Sequence, residues 1–433
     1  MSTTTIEPVL LSTGPGPAAP GSPLWFQKLQ TSAWAEFEEL PFPTRKDETW
    51  RFSNVKGLTL DQYVVAPEST ADVSAEVQSR ALEEAAGQMI FLNDRLVAIK
   101  LFDAALCGQG VVFTTLEEAL VTRGDHLQAH FMSQPARLGS QKFAALHKAM
   151  VKSGTFLHVP KGVEIRRPFQ VFHFVQGQNA AVFPHTLIIA DPASRVTFID
   201  HFISLEPFTP GFACGVNDLI VKDQAQLNYI SMQEWSREFT SIQINSTMAG
   251  RDAAATSLSF NVGGRYSRLE SVSRLQGQGG RSDMLAVTVA RNAQEFDQRT
   301  YQDHLKPNTT SDLLYKNALF DEARTIFSGL IKVEPGAHRT DAYQKVRNLL
   351  LSDEAEANSL PGLEILADDV RCTHGATSGQ IEEEELFYLK SRGIPERAAK
   401  ALVVRGFLNE VIDRLPDEPL RTYLHGRIDR HLS

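Results

Sequence analysis

Two side chains near the C-terminal end carry the strongest chemical signal in the sequence. In the run Arg371-Cys372-Thr373-His374-Gly375-Ala376-Thr377, Cys372 and His374 stand two residues apart. On a strand, positions i and i+2 point to one face. A thiolate beside an imidazole offers soft and borderline donors suited to iron or zinc. Two donors do not complete a site, and Gly375 permits a close backbone approach or an unusual turn. The spacing alone favours a buried cysteine beside a hydrogen-bonded histidine at the end of a core.

The other potential ligands are dispersed. The chain has three cysteines, Cys107, Cys214 and Cys372, too few for a disulfide framework. No Cys-x-x-Cys occurs, which excludes a zinc ribbon. Iron–sulfur clusters are usually held by four thiolates, so a cluster bound by this chain alone is not expected. Cys107 and Cys214 read as inert buried thiols. His173, His185 and His201 lie in strand-like runs and read as packing residues. There is no Gly-x-x-x-x-Gly-Lys-Ser/Thr phosphate loop and no Gly-x-Ser-x-Gly elbow. Gly277-Gln278-Gly279-Gly280 lacks the strand–turn–helix setting of a dinucleotide fingerprint and reads as a loop.

The totals bound the class. A chain of 433 residues with 42% apolar and 22% charged residues is an ordinary globular protein able to bury a large core. A net charge of −9 argues against a general nucleic-acid binder. No run reaches membrane-helix length. Residues 1–23 lack Lys, Arg and any sizeable apolar block. They read as a disordered tail with no secretory signal, and a reducing cytoplasm is the expected compartment.

The elements that must position Cys372 and His374 follow from periodicity. Residues 24–154 form an N-terminal helical and mixed region. Trp25, Phe26, Leu29, Ala33, Trp34, Phe37 and Leu40 recur at helical spacing until Pro41 and Pro43. Lys46 to Phe52 is a polar and aromatic packing segment. Met89 to Ile99 reads as two strands around an Asn93-Asp94 turn. Residues 140–152 read as an amphipathic helix closed by Gly154.

From Thr155 to Gly379 the texture is that of strands, in runs such as Gln170–Val175, Thr186–Ile189, Val196–Ile199, Asp218–Val221 and Leu227–Ile230. A loose repeat runs through them, an acidic residue followed two positions later by Ala. Asp191-Pro192-Ala193, Asp223-Gln224-Ala225, Asp252-Ala253-Ala254, Asp321-Glu322-Ala323 and Asp353-Glu354-Ala355 are examples, with Glu334-Pro335-Gly336-Ala337 as a longer variant. Sharp corners favour Asp, Gly and Pro, and a small Ala fits inside them. Stacked coils bury a shared core that none could bury alone. Tight Asn-Gly and Asp-Gly hairpin turns are missing, which favours a parallel solenoid over an antiparallel sandwich.

Helical texture returns over residues 380–433. Glu382 to Glu385 suit a helix N-terminus. Gly393 and Pro395 separate this helix from an amphipathic one bearing Ala399, Leu402, Val403, Gly406, Phe407, Val411 and Leu415. Pro416 stops it, and a short polar helix closes the chain.

The C-terminal third resembles the SufB/SufD family of iron–sulfur cluster assembly proteins. The likeness runs through Tyr315 to Asp321, Phe327 to Ile331, Thr340-Asp341-Ala342, Asn348 to Ser352, Pro361 to Val370, the Cys372-Thr373-His374-Gly375-Ala376-Thr377 run and Leu386 to Ile394. Glu48-Thr49-Trp50-Arg51 is similar to the family's N-terminal region. The Cys-Thr-His-Gly-Ala-Thr run resembles the SufD branch. The SufB pattern has Glu where this chain has Gly375, and a cysteine in the preceding coil where Leu351 to Leu366 has none.

The resemblance implies a mainly β fold, a right-handed parallel β-helix core flanked by N-terminal and C-terminal helical regions. It implies a non-catalytic scaffold subunit that pairs with a SufB-like paralogue and a SufC-like ATPase, with a homodimer possible in isolation. His374, and with a weaker claim Cys372, would be interfacial ligands of a transient iron–sulfur cluster shared with the partner. No cofactor is expected in the isolated chain. Leu402, Val403, Phe407 and Val411 would form the ATPase dock. The alternatives are a β-solenoid carbohydrate-active enzyme, which would want clustered groove carboxylates, and a self-sufficient metal-binding protein, which metal analysis of the isolated chain would reveal.

Overall fold

In the computed structural model, residues 10, 14–16 and 21–432 are described. Most of the expected disordered tail, 1–23, lies outside the described residues. Within it, Leu10 is fully buried and donates its backbone N–H to the Tyr63 carbonyl.

The core is a parallel β-solenoid of about eight turns. Each turn places one strand in each of two sheets, so pairing always skips one strand in sequence. The strands Gly211–Val221, Phe239–Ala249, Tyr266–Leu275, Glu295–His304, Arg324–Val333 and Glu356–Ile365 stack in parallel in one sheet. Gln226–Glu234, Ala254–Asn261, Arg281–Ala290, Thr310–Leu319, Asp341–Leu350 and Arg371–Gly379 stack in the other. The lumen near the N-terminal end is filled by side chains such as Val171, Ile188, Val196, Phe198, Leu219 and Leu227. Because side chains alternate between faces, the intervening residues point outward and need separate cover.

The corners explain the repeat. Gln224, Asp252, Asn308, Arg339 and Asp369 have φ between 54° and 61°, the left-handed region that Asn and Asp tolerate best and that Gln224 and Arg339 also adopt here. Ala225, Ala323 and Ala337 are fully buried inside the corners. Members of the repeat differ in offset, and Asp353-Glu354-Ala355 has no left-handed residue. In Asp252-Ala253-Ala254 the buried residue is Ala253, and in Asp191-Pro192-Ala193 the left-handed residue is Ala193 itself, with Ser194 inside. In Asp321-Glu322-Ala323 the left-handed residue is the acid itself and the buried Ala stands two positions on, so the corner needs a left-handed residue with a small one within the next two positions.

The N-terminal end is built by the first 154 residues as well as by the solenoid. The Asn93-Asp94 turn joins Gly87–Leu92 to Arg95–Leu101, and Gly87–Leu92 pairs with Phe169–Val175. The helices Leu24–Glu39 and Gln141–Met150 pack against one outer face, with Phe37, Phe143 and Leu146 buried against Phe212, Cys214 and Ile242. The polar and aromatic segment packs as expected. Trp50 is buried and its indole N–H donates to the Gly139 carbonyl at 2.9 Å. Beneath it Arg268, fully buried, stacks 3.7 Å from the Trp50 ring and pairs with Glu270 at 2.7 Å and with Asp297.

At the C-terminal end, helices Glu396–Ile412 and Glu418–Leu432 lie along the outer face of the second sheet. Val404, Leu408, Val411, Ile412, Leu424 and Ile428 cover a ladder formed by Ile199, Ile230, Leu258, Leu285 and Leu314. The last helix is neither short nor wholly polar. It runs 15 residues, and Tyr423 donates its hydroxyl to the Arg80 carbonyl near the opposite end of the molecule at 2.8 Å. These helices therefore cover a side of the solenoid and leave its end open.

Candidate functional site

Both sheets finish at that open end. Glu356–Ile365 is the last strand of one and Arg371–Gly379 of the other, each paired on one side only. Cys372 lies in register beside Ala342 and His374 beside Gln344. Ala342 and Gln344 point into the lumen and are 0% and 1% exposed, so Cys372 and His374 share their inward face. The i, i+2 spacing thus puts both side chains on one face, and no further coil covers them. His374 is exposed, and Cys372 is half-buried against Ala342 and Val333. Burial raises the Cys372 thiol above its ordinary pKa, and the nearby Asp341 carboxylate adds to the shift. The thiol is therefore held protonated near neutrality, the opposite of an activated cysteine.

The same end exposes apolar surface that composition and periodicity did not single out. Leu363 and Ile365 stand in register with Ile331 and Val333, which are fully buried one coil earlier. Leu363, Ile365 and Leu366 are 37%, 38% and 49% exposed. The signal in the sequence is positional. A solenoid column that continues as Ile and Leu in its final coil has no cap of its own.

A groove of about 1140 Å³ lies between the tail of the terminal strand, Thr377–Gly379, and the C-terminal helices, with Tyr388, Leu402 and Phe407 in its wall. Among the four residues expected at a dock, Leu402 is exposed, Val403 and Phe407 are half-buried, and Val411 is fully buried in the helix–sheet core. Val411 therefore packs the helix onto the sheet and presents nothing outward. Two residues outside that set are the most exposed aromatics of the region. Phe387 and Tyr388, on the helix Glu383–Ser391 that buries no residue, are 74% and 58% exposed.

The remaining ligand-type residues do not converge on the open end. Among the described residues no group of three or more His, Cys, Asp or Glu side chains is arranged to hold a metal ion. Cys107 is exposed, contrary to the expectation of a buried thiol, whereas Cys214 is buried and its pKa is raised by burial. His173, His185 and His201 are all buried but do not share a face. His173 faces Asp200 at 3.4 Å, and His201 stacks on Phe172 with ring centroids 4.4 Å apart. His185 belongs to a chain under the helix Gln141–Met150. His147 Nδ1 donates to the Cys214 carbonyl at 2.7 Å, so its Nε2 accepts from His185 Nδ1 at 3.0 Å. His185 Nε2 then faces Asp218 at 3.5 Å, whose pKa burial raises to about 7. This chain ties the helix to the sheet.

Comparison with known proteins identifies the family. The family described as the SufBD protein N-terminal region matches residues 20–171, and the SUF system FeS cluster assembly SufBD core domain matches residues 173–407. Iron-sulfur cluster assembly protein SufD of Bacillus subtilis is 31% identical over 95% of both chains. SufD of Escherichia coli is 30% identical over 90% of this chain and 89% of its own. SufB of Bacillus subtilis is 28% identical over 72% of this chain and 66% of its own. A parallel β-solenoid, matched along both its N-terminal region and its core and aligned nearly end to end with two SufD proteins, belongs to the SufB/SufD family of iron–sulfur cluster assembly proteins.

Proposed function

We propose that the chain is a non-catalytic subunit of a cluster-assembly scaffold, pairing through the open end of its solenoid with a SufB-like paralogue. The observation that carries this reading is the termination of both sheets at one end, with Cys372 and His374 on the inward face of the last strand and Leu363, Ile365 and Leu366 exposed beside them. Unpaired parallel edges and an uncapped apolar column are what a second solenoid end would cover. Pairing there would bring His374 to the interface as one ligand of a transient iron–sulfur cluster, the cargo of the assembly. The partner would supply most of the remaining ligands. Cys372 is the weaker donor of the two, because its thiol stays protonated until its surroundings change.

A SufC-like ATPase would dock on the C-terminal helices. Phe387, Tyr388 and Leu402 form its most accessible apolar surface, with Val403 and Phe407 behind them. Residues 380–382 alone separate the strand carrying His374 from the helix carrying Phe387. ATP-driven movement of the partner would thus be transmitted to the cluster end by a short connection.

The test is reconstitution of the complex with His374→Ala. The expected result is intact folding and complex formation with a reduced yield of cluster, read from visible absorbance and bound iron. Normal cluster yield in that variant removes His374 from the site.

A further inference from the structure

A second cavity, of about 650 Å³, opens where the N-terminal region meets the last helix on the early coils of the solenoid. Its walls come from residues 81–84, from residues 166–168 ahead of the strand Phe169–Val175, and from the first turns of the helix Glu418–Leu432. These walls are pinned in place. The fully buried Gln170 side chain accepts from the Leu82 N–H at 2.9 Å and donates to the Leu82 carbonyl at 3.2 Å. The hydrogen bond from the Tyr423 hydroxyl to the Arg80 carbonyl ties the same segment to the helix. Pro168 and Pro419 have fixed φ. Leu82, Pro168, Leu420 and the Tyr423 ring give the cavity an apolar lining. A pre-formed cleft of this size, mostly apolar with a few polar groups at its rim, is the form of a small-molecule site.

Most charged groups at the rim are already engaged. Arg167 pairs with Glu84 at 3.1 Å, and Glu418 pairs with Arg421. Asp417 accepts the Leu420 N–H at 2.8 Å and so caps its own helix. Among the described residues, Glu83 and Arg166 are the two rim charges in no ion pair, and both are exposed. We propose that this cavity binds a small zwitterion with an apolar body, the chemistry of a short peptide with free ends. Its apolar side chains would lie on Leu82, Leu420 and Tyr423. Its ammonium would face Glu83, and its carboxylate Arg166, whose guanidinium fork matches a carboxylate. A purely cationic or purely anionic ligand would leave one of these two charges unmatched. Thr197, also in the lining, accepts from Asn228 Nδ2 at 3.3 Å and keeps its own hydroxyl proton to donate. The strand bearing Thr197 lies six strand steps from the strand bearing His374 in the same sheet, about 29 Å at about 4.8 Å per step. The site is therefore independent of the cluster-assembly reading.

The test is calorimetric titration of the full chain with the dipeptide Phe-Leu. The expected result is saturable one-to-one binding, with no binding of Gly-Gly, which has both charges but no apolar body. N-acetyl-Phe-Leu lacks the ammonium and Phe-Leu-amide lacks the carboxylate. Each should bind about two- to fivefold more weakly, the range of exposed ion pairs. Glu83→Gln should weaken Phe-Leu by the same factor and leave N-acetyl-Phe-Leu no weaker than before. Arg166→Gln should do the same for Phe-Leu and Phe-Leu-amide. His374→Ala should bind Phe-Leu as the wild type does. Both rim residues are exposed, so their variants should melt at the wild-type temperature, and the capped peptides test the two charges on the unaltered chain. Absence of saturable binding, equal binding of Gly-Gly, capped peptides that bind as well as the free one, or a Glu83→Gln variant that weakens Phe-Leu and N-acetyl-Phe-Leu alike overturns the proposal.

Discussion

His374 and Gln344 are direct neighbours in a parallel ladder, yet one is exposed and the other is 1% exposed. A single strand step separates the sealed interior of the solenoid from its open end. A residue placed on that step is held by backbone pairing without being consumed by packing. That is the condition for a side chain that must meet something outside its own chain.

His374→Ala should therefore be nearly silent in stability. Exposed substitutions of this kind change unfolding free energy by about 0.5 kcal/mol or less. Urea titration of the isolated chain checks this. A loss of about 2 kcal/mol would identify His374 as a packing residue.

Gln344 behaves oppositely. Its side-chain amide nitrogen and oxygen are buried without partners, close to Gly329. Exchange for Met removes two unsatisfied polar atoms and should be neutral or stabilising by about 1 kcal/mol. The midpoint of denaturant unfolding is the measurement.

Arg268 anchors the N-terminal segment to the sheet. Besides Glu270 and Asp297, it donates to the backbone carbonyls of Thr49 at 3.0 Å and Leu138 at 2.7 Å. Arg268→Ala leaves the buried Glu270 carboxylate without its cation and Asp297 with Arg299 alone, and should cost about 3–5 kcal/mol. Arg268→Lys cannot reproduce the forked geometry and should rescue only part of this. Limited proteolysis near Trp50 reports whether the segment loosens first.

Acid should weaken the fold. Burial lowers the pKa of His147 and His304 to about 4, and holds His185 and His201 well below the ordinary histidine range. Below the unfolded value of about 6.5 the unfolded chain takes up protons that these buried histidines refuse, His147 and His304 until about pH 4. Stability is thus retained above that value and lost as pH falls, by about 1.4 kcal/mol per pH unit for each such group. Asp94 and Asp218, raised to about 6 and about 7, act in the opposite sense but are fewer. His304 lies apart from them, hydrogen-bonded to Thr309 and Ser311 at 2.8 Å. His304→Gln should flatten the slope between pH 6.5 and 4 by about one proton's share; an unchanged slope would show that His304 does not titrate this way.

The C-terminal helices present a buried face and an exposed one. Leu408→Ala, in the helix–sheet core, should cost about 2–5 kcal/mol. Phe387→Ala combined with Tyr388→Ala should leave the melting temperature unchanged while weakening capture of a SufC-like ATPase. Undiminished capture by the double variant would move the dock elsewhere. Deleting all three helices is a poorer test, since it bares the Ile199, Ile230, Leu258 and Leu285 ladder.

Much of this was legible in the sequence, because local chemistry dictated it. Strand runs, corner residues and the absence of hairpin turns pointed to a parallel solenoid. The Asn93-Asp94 turn and the helix at 141–150 appear within a residue or two of their expected bounds. The motif around His374 pointed to the family and to one face of a strand. Properties set by what lies next to an element in space were not legible. Amphipathic spacing placed Val411 beside Leu402, yet only the packing of the helix on the sheet buries one and exposes the other. Cys107 carries no local mark of its exposure. Periodicity also cannot tell a covered coil from a final one. The apolar pattern of Leu363 and Ile365 matches that of Ile331 and Val333, and only the missing next coil turns a core column into an open end. The sequence by itself determined the solenoid and the pairing of Cys372 with His374, through alternation and turn chemistry. The tertiary structure decided that this pair stands at an uncovered end, because burial depends on neighbours many residues away along the chain.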